Sequence, residues 1–568
     1  MLGDDLTAQI NRNELEVMGK VWGIDAVAKN GSTSPYGTIV AFSESPIDEN
    51  LLVVGTDDGL IQISQDGGES WNKISNFSGV PERSYVNAVY ASQHNKNVIY
   101  AAFNHHKYGD FKPYILKSEN SGSTWRLISN NLPDRGSVYS IEEDHVNSDL
   151  IFCGTEFGAF FSPNGGAEWK QLKAGLPTIA VRDMTIQKRE NDLVLGTFGR
   201  GFYVLDDYTA LRDITTKQDI DEARLFAVRD ALIFEESSPL GLPGKSFQGD
   251  SYYTADNLGS EAMITYLLTK ELKTLKETRQ EEAKKNSKDN KDNPYPSYEE
   301  LLAESNEIAP QVLFTITDSD GEVVRKILKK PGKGIQRFNW DMRYASKEAI
   351  SLSGSSFYNP FAGSSEGTLV KPGVYDISMA MVIDGEVQEA VDTKSFTIKP
   401  LNNTVLPAEN RGDAVEFQRE VAELSRSIEG ADRMVSEIEN NMKYLKKAIE
   451  QIEEPLGGFT KDYNNIATTL KELKTSLEGD RNKSRLDIDQ IPSPSSRIGW
   501  IVYESKYSTS APTQTHRESL AIAKEEFEPI LNRLRSLVNN EINDLEQKLE
   551  DADAPYTPGR AIKMIQEN

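Results

Sequence analysis

Short apolar runs broken by glycine turns fill roughly the first third of this chain. Leu52-Val-Val-Gly55-Thr56-Asp-Asp-Gly59-Leu-Ile-Gln-Ile63 is one such run, and Ile99-Tyr-Ala-Ala-Phe103 with Pro113-Tyr-Ile-Leu116 a second. The third is Leu150-Ile-Phe-Cys-Gly154-Thr155-Glu-Phe-Gly158-Ala-Phe-Phe161. The fourth is Leu193-Val-Leu-Gly196-Thr197-Phe-Gly199-Arg-Gly201-Phe-Tyr-Val-Leu205. Apolar strands joined by short glycine-rich turns are hairpins. Ahead of each lies a further candidate strand: Thr38-Ile-Val-Ala-Phe42, Val86-Asn-Ala-Val-Tyr90, Val138-Tyr-Ser-Ile141 and Val181-Arg-Asp-Met-Thr-Ile186. Residues 36–208 therefore predict about four repeated β units, each built like a propeller blade with an innermost strand and a following hairpin.

A short motif closes three of these units. Ser64-Gln-Asp66-Gly-Gly68-Glu-Ser70-Trp71 reads S-x-D-x-G-x-[ST]-W. Ser118-Glu-Asn120-Ser-Gly122-Ser-Thr124-Trp125 carries Asn for Asp, and Ser162-Pro-Asn164-Gly-Gly166-Ala-Glu168-Trp169 carries Glu in the Ser/Thr place. The tryptophans are 54 and 44 residues apart, a blade-like spacing. The Asp or Asn suits a side chain bonded to its own turn, and the glycine a positive φ. The Trp suits a cap on the apolar space between neighbouring sheets. The motif is an architectural signal; it specifies no reaction.

Beyond Asp206-Asp207 the pattern changes. Leu225-Phe-Ala-Val228, Ala262-Met-Ile-Thr-Tyr-Leu-Leu268, Val312-Leu-Phe-Thr-Ile-Thr317 and Val323-Val-Arg-Lys-Ile327 read as strands, as do the residues after Lys371-Pro372-Gly373-Val-Tyr375. Turn signals fall at Asp318-Ser-Asp320-Gly321 and Asp384-Gly385, which predicts an immunoglobulin-like β-sandwich over 209–400. A charged stretch near 271–310 interrupts it as a surface insertion, part helix and part flexible. From about Pro407 apolar residues recur at helical spacing, through 414–428, 434–452, 463–477 and 518–549, which predicts an antiparallel bundle of three or four helices over 401–568.

Composition narrows the partners. The chain has 568 residues and a formal charge of −25, which disfavours nucleic acid and anionic lipid. No run of 18 apolar residues is present, so no transmembrane helix is expected, and the polar, acidic first 30 residues do not read as a signal peptide. Cys153 is the only cysteine, lies in an apolar strand and reads as core. Residues 1–35 read as the tail of an earlier blade, so missing upstream blades are expected from a longer protein or from another chain.

The three motifs resemble the Asp-box, or BNR repeat, of sialidases and sortilin-like proteins. The order of blades, the Gly199-Arg200-Gly201-Phe-Tyr-Val-Leu-Asp206-Asp207 signature, the Pro372-Gly-Val-Tyr375 hairpin and the helical tail resembles the C-terminal half of large bacterial BNR-repeat "glycosyl hydrolase" proteins. Tyr36-Gly-Thr38, Asp110-Phe-Lys-Pro-Tyr114 and Val181-Arg-Asp183 fit the same pattern. The resemblance implies a mainly β chain: a partial β-propeller of about four Asp-box blades (1–208), then the sandwich (209–400) and the helical bundle (401–568). It also implies export to the periplasm, cell surface or medium, and a sortilin-like channel that binds peptide.

A sialidase-type site needs arginines around a carboxylate, a Tyr–Glu pair and an acidic residue near the propeller axis. Arg182 is the one arginine inside a predicted innermost strand, with Asp183 beside it as candidate acid; Arg83 and Arg135 precede two others. Tyr139 and Glu142 are three apart, so on a strand they face opposite sides. His105 and His106 are adjacent, and in an extended segment they point apart with no third ligand evident, so no metal is expected. Asp57-Asp58 and Asp318-Ser-Asp320-Gly321 read as turns rather than calcium loops. No phosphate loop, nucleophile elbow or basic-aromatic cluster is present, and no cofactor is expected.

The leading reading is an exported, noncatalytic propeller protein that binds a peptide, protein or glycan at its propeller top or at the loop Ser351–Gly367, which carries Phe357, Tyr358 and Phe361. The alternatives are a glycoside hydrolase whose site is completed by upstream blades, and a fragment without independent function.

Overall fold

The computed structural model describes residues 5–560 except 28, 32, 174, 217–222, 235–258, 351–365, 405 and 506–507. The loop Ser351–Gly367 with its three aromatic residues thus lies almost wholly outside the described residues. The chain divides into two compact units, 1–221 and 222–568.

Unit 1 consists of consecutive antiparallel meanders. The first sheet joins β1 (Ile39–Glu44), β2 (Leu52–Thr56), β3 (Ile61–Ser64) and β4 (Asn72–Ile74) in that order. The second joins β5 (Tyr85–Ala91), β6 (Ile99–His105), β7 (Asp110–Ser118) and β8 (Arg126–Leu127). The third joins β9 (Val138–Glu143), β10 (Ile151–Thr155), β11 (Gly158–Ser162) and β12 (Lys170–Leu172). The fourth has β13 (Val181–Gln187), β14 (Asp192–Thr197) and β15 (Phe202–Leu205), followed by helix α1 (Ala210–Thr216). The first strands of successive sheets lie against one another: β1 on β5, β5 on β9 and β9 on β13. The sheets therefore fan out from a shared inner edge, a propeller-type arrangement.

The two-residue alternation of the strands explains the packing. On β6, Ile99, Ala101 and Phe103 face the first sheet, while Tyr100 and Ala102 face the third. On β10, Ile151 and Cys153 face the second sheet, and Phe152 faces the fourth. All of these side chains are buried, each large one contributing about 1.5–3 kcal/mol. Along the first sheet runs the segment 5–10, held where Gln62 Nε2 donates to Leu6 O at 2.5 Å and Ala8 N–H to Asp58 Oδ2 at 2.7 Å. Among the described residues of 5–35 there is a 3-10 turn, Arg12–Glu14, and one bridge, but no strand.

Unit 2 begins with two sheets over one core. β16 (Ala223–Leu225), β18 (Ala262–Leu268) and β21 (Gly334–Trp340) form one. The other runs β17 (Ala231–Ile233), β24 (Asp392–Pro400), β22 (Gly373–Ile383), β19 (Gln311–Asp318) and β20 (Val323–Lys329), with β23 (Glu386–Val387) pairing β22. Between them Trp340, Tyr375 and Phe396 pack edge to face or tilted, at centroid separations of 5.9–6.3 Å. The charged stretch between β18 and β19 forms two helices, α2 (Leu275–Lys288) and α3 (Tyr298–Asn306). Each starts with a capping box, at Thr274/Glu277 and Ser297/Glu300, and Arg279 binds Glu304 across them at 2.5 and 2.8 Å.

The helical region comprises α4 (Arg411–Ile449), α5 (Gly457–Glu478), α6 (Arg481–Arg485), α7 (Pro494–Ser505), α8 (Gln514–Ser536) and α9 (Asn543–Asp551). A π-helical turn, Leu537–Ile542, joins the last two. Along α4 every seventh residue, Val421, Ile428, Val435, Met442 and Ile449, is buried in the core shared with α5, α7 and α8. No helix among the described residues is long and apolar enough to cross a membrane.

Candidate functional site

The same irregularity recurs at the start of the first strand of every sheet in unit 1. Ile39 pairs with Thr56 and Ala41 with Gly55, so Val40 is an extra residue. In β5, Val86 pairs with Phe103 and Ala88 with Ala102, leaving Asn87 extra. In β9, Val138 pairs with Thr155 and Ser140 with Gly154, leaving Tyr139. In β13, Val181 pairs with Thr197 and Asp183 with Gly196, leaving Arg182. These are β-bulges, which re-aim a side chain. The residue opposite each bulge is small, Gly55, Ala102, Gly154 and Gly196, and at two of them the reason is steric. A Cβ on Gly154 would lie 2.4 Å from Ser140 Oγ and 2.6 Å from Val181 O of the next sheet, and one on Gly55 would lie 2.4 Å from Val86 Cγ1.

In the first, third and fourth sheets the turn that follows the second strand is tied back to the residue just ahead of the bulged strand. Asp57 N–H donates to Thr38 O, Glu156 N–H to Ser137 O and Phe198 N–H to Ala180 O, at 2.9–3.1 Å. Bulge row and turns thus form one polar and aromatic surface. Tyr139 OH donates to Glu156. The Arg182 guanidinium lies 3.8 Å from the centroid of the Tyr139 ring and 5.3 Å from that of Phe198, a cation stacked on aromatic faces. Phe157 and Phe198, at the turns, are 48% and 68% exposed. Burial, then the bond to Glu156, push the Tyr139 phenol up to about 12, with Arg182 opposing. At neutral pH it is a hydrogen-bond donor, not a phenolate nucleophile. Burial and Lys107 hold His106, which also feels Glu156 and Arg182, below the usual imidazole range.

The residues singled out in the sequence fall into separate places. Asp183 is exposed and accepts the Met184 N–H at 2.9 Å. Glu142 does not meet Tyr139; it lies near Lys188 and Asp183, and burial pushes its carboxyl up to about 8. Arg135 is exposed in the loop before β9, and Arg83 lines a cavity with Tyr36. Asp207, after β15, accepts the N–H and hydroxyl of Thr209 just ahead of α1. No group of three or more His, Cys, Asp or Glu among the described residues is arranged to hold a metal. Glu156, Phe198, Asn87 and Asn104 had no place in the sequence reading. The signal for the first three was the alignment of Gly-Thr turns and of the residue after Val86, Val138 and Val181.

The three motif hairpins lie on the outer strands. Gly68, Gly122 and Gly166 have φ of +97°, +84° and +90°. Their N–H groups donate to Ser64, Ser118 and Ser162 Oγ, each at 2.8 Å. Each of these hydroxyls donates in turn to Asp66, Asn120 or Asn164, and these accept the N–H of Ser70, Thr124 and Glu168. Bonds from Ser70 hold the Asp66 carboxyl at about 2. Trp125 Nε1 donates to Gly122 O, and Trp169 Nε1 reaches Ile128 O at 2.7 Å. Trp169 is buried between the second and third sheets, Trp125 half-buried between the first and second, and Trp71 half-buried in the first.

The class of protein that this geometry defines is a propeller-type β protein with a C-terminal helical region. No family model matches the chain, and no curated protein matches it. Solved structures do. YCF48 bound to D1 peptide matches at 17% identity over 30% of this chain and 52% of its own, with a TM-score of 0.24. An ancestral GH74 enzyme matches at 15% over 60% and 39%, TM-score 0.25, and the computationally designed Ika4 protein at 13% over 30% and 91%, TM-score 0.22. The chain thus spans about half of the YCF48 chain it matches. The propeller-type assignment rests on the meanders and their shared inner edge, not on these superpositions.

Proposed function

We propose that unit 1 is a noncatalytic binding platform whose recognition surface is the bulge row. The observation that carries this is the constancy of the bulge beside the variation of its side chain: Val40, Asn87, Tyr139, Arg182. A repeated backbone device that presents a different chemical group each time serves recognition better than packing. Arg182 and Asp183, the catalytic candidates of the sequence, are in this reading a contact residue and its neighbour, and the hairpin residues Ser64, Asp66, Gly68 and Trp71 with their counterparts are framework.

The wider reading has three domains, 1–208, 209–400 and 401–568, the second an immunoglobulin-like sandwich, in an exported protein of the Asp-box, sortilin-like type. The sheets of unit 1 would be four blades of a larger ring. Exposed Ile39 and Phe42 on the first sheet and Phe202 and Val204 on the last support further sheets as neighbours. The ligand is a peptide, protein or glycan. A glycoside hydrolase is the second reading, favoured by the Tyr139–Glu156 bond beside Arg182.

Peptide and glycan arrays probed with the full chain test this. A hit that Arg182→Ala removes while the melting temperature holds supports the platform. A hit that survives Arg182→Ala and Tyr139→Phe refutes it. Release of sugar from the hit, abolished by Tyr139→Phe, establishes the hydrolase instead.

A further inference from the structure

Next to the bulge row, between the first and second sheets, is a small cavity of about 30 Å³, with Tyr36, Asp57, Arg83, Asn104, Lys107 and Tyr108 among the residues on its walls. Asn104 is 3% exposed, and its Oδ1 has no hydrogen-bond partner; the buried Tyr36 hydroxyl has none either. Unpaired buried polar atoms are costly and call for an explanation.

The orientation of the Asn104 amide follows from its neighbours. Asn87 Nδ2 donates to the Val138 carbonyl at 2.5 Å, and a carbonyl can only accept. Asn87 Oδ1 is therefore the atom that receives Asn104 Nδ2 at 2.6 Å. This chain of amides, running from the second sheet to the third, leaves Asn104 Oδ1 as a fixed acceptor at the cavity.

The walls carry two cations, Arg83 and Lys107, aromatic rings and one carboxylate, Asp57, whose Oδ1 accepts the Gly37 and Thr38 N–H groups at 2.9 and 2.7 Å. Neither Arg83 nor Lys107 has a carboxylate within ion-pair distance among the described residues, and Lys107 Nζ lies 5.5 Å from the Tyr85 ring centroid. His105 stacks on Tyr108 at 4.3 Å. Arg83 is held at φ +58°, a conformation that non-glycine residues rarely adopt. Its Cα would be 2.7 Å from a Cβ on Gly59, so a glycine is needed opposite it.

We infer that this cavity binds an acidic saccharide, one ring hydroxyl donating to Asn104 Oδ1 while a carboxylate or sulfate meets Arg83 and Lys107. This rests on the platform reading above and names its ligand class. The acceptor requires a donor, and two cations against the one carboxylate of Asp57 favour an anionic ligand over an ammonium. The space is that of about one water, which fits a single-atom prong. A ring hydroxyl is such a prong; a backbone N–H is flanked by two carbons and is not, and a Ser or Thr hydroxyl of an acidic peptide is the competing prong that the peptide arm below tests. Tyr108 and Tyr85 offer faces for the sugar ring.

The test is binding of the full chain to three fluorescent probes: an oligogalacturonate, a sulfated galactan oligosaccharide and neutral maltohexaose, with an acidic peptide as a fourth arm. One or both anionic sugars bind, more weakly as salt rises, and the arm that binds identifies carboxylate or sulfate. Arg83→Ala and Lys107→Ala each weaken binding about tenfold, and Lys107→Arg restores it. Unchanged melting temperatures rule out loss of fold. Sugar binding lost in Arg182→Ala yet untouched by Arg83→Ala and Lys107→Ala overturns the cavity assignment and leaves the platform standing. Binding of the peptide alone overturns the saccharide. Failure of all four probes, with no hit on the arrays, overturns both.

Discussion

At the outer hairpins of unit 1 the same bonds recur from sheet to sheet: a serine hydroxyl receives a glycine N–H, and an Asp or Asn closes the turn. At the inner edge the backbone recurs but the side chain changes, from Val40 to Asn87, Tyr139 and Arg182. One repeating unit thus carries a constant end and a variable end. Constancy goes with internally satisfied polar groups, which have little left to offer a ligand. At the variable end Asn87 and Tyr139 are bonded within the protein, and the groups left for a ligand are the exposed Arg182 guanidinium and the turn residues Phe157 and Phe198 beside it. The repeat supplies rigid placement, and the departures from repetition supply chemistry.

Substitutions can break or sharpen this contrast. The largest effect is expected from Asp144→Ala. Asp144 is fully buried and holds Arg212 at 2.7 and 2.8 Å and Tyr208 OH at 2.5 Å. Removing it should cost unit 1 about 3–5 kcal/mol in denaturant unfolding. Gly154→Ala comes next, at about 3 kcal/mol, because its Cβ would collide with Ser140 and with the Val181 carbonyl. Ser118→Ala should cost about 1–2 kcal/mol, since the buried Gly122 N–H loses its acceptor. Arg182→Ala should change stability by about 0.5 kcal/mol or less. It would sharpen the contrast by removing ligand binding while leaving the melting curve in place.

A pH effect separates from these. The Glu142 carboxyl, raised from 4.5 to about 8 chiefly by burial, favours folding when protonated. Its contribution is full below about pH 4.5 and is lost as pH rises through about 8. The melting temperature of unit 1 should decline over that window, and Glu142→Gln should flatten the decline. An unchanged slope in Glu142→Gln would show that Glu142 does not sense its burial.

Much of the fold was legible because its signals are local. Gly59, Gly158 and Gly321 mark turns within a few residues of the strands they join, and Val421 to Ile449 repeat at helical spacing within one segment. The bulge row was not legible in the same way. That Tyr139 is the unpaired residue depends on its register with Gly154 and Thr155, on another strand. Its partner Glu156 is 17 residues further on, whereas the nearby acid, Glu142, sits three residues along the same strand. Asn104 was hidden for a like reason: its significance comes from Asn87 and from the Val138 carbonyl in the next sheet. Local pattern reveals elements; a site assembled across elements needs their register.

The most direct test compares one residue from each end of the repeat. Ser118→Ala and Arg182→Ala are measured side by side, for melting temperature and for affinity toward the strongest ligand from the arrays. The account predicts that Ser118→Ala lowers the melting temperature and keeps the affinity, whereas Arg182→Ala keeps the melting temperature and loses the affinity. The reverse pattern, or equal effects of both substitutions on affinity, would contradict it.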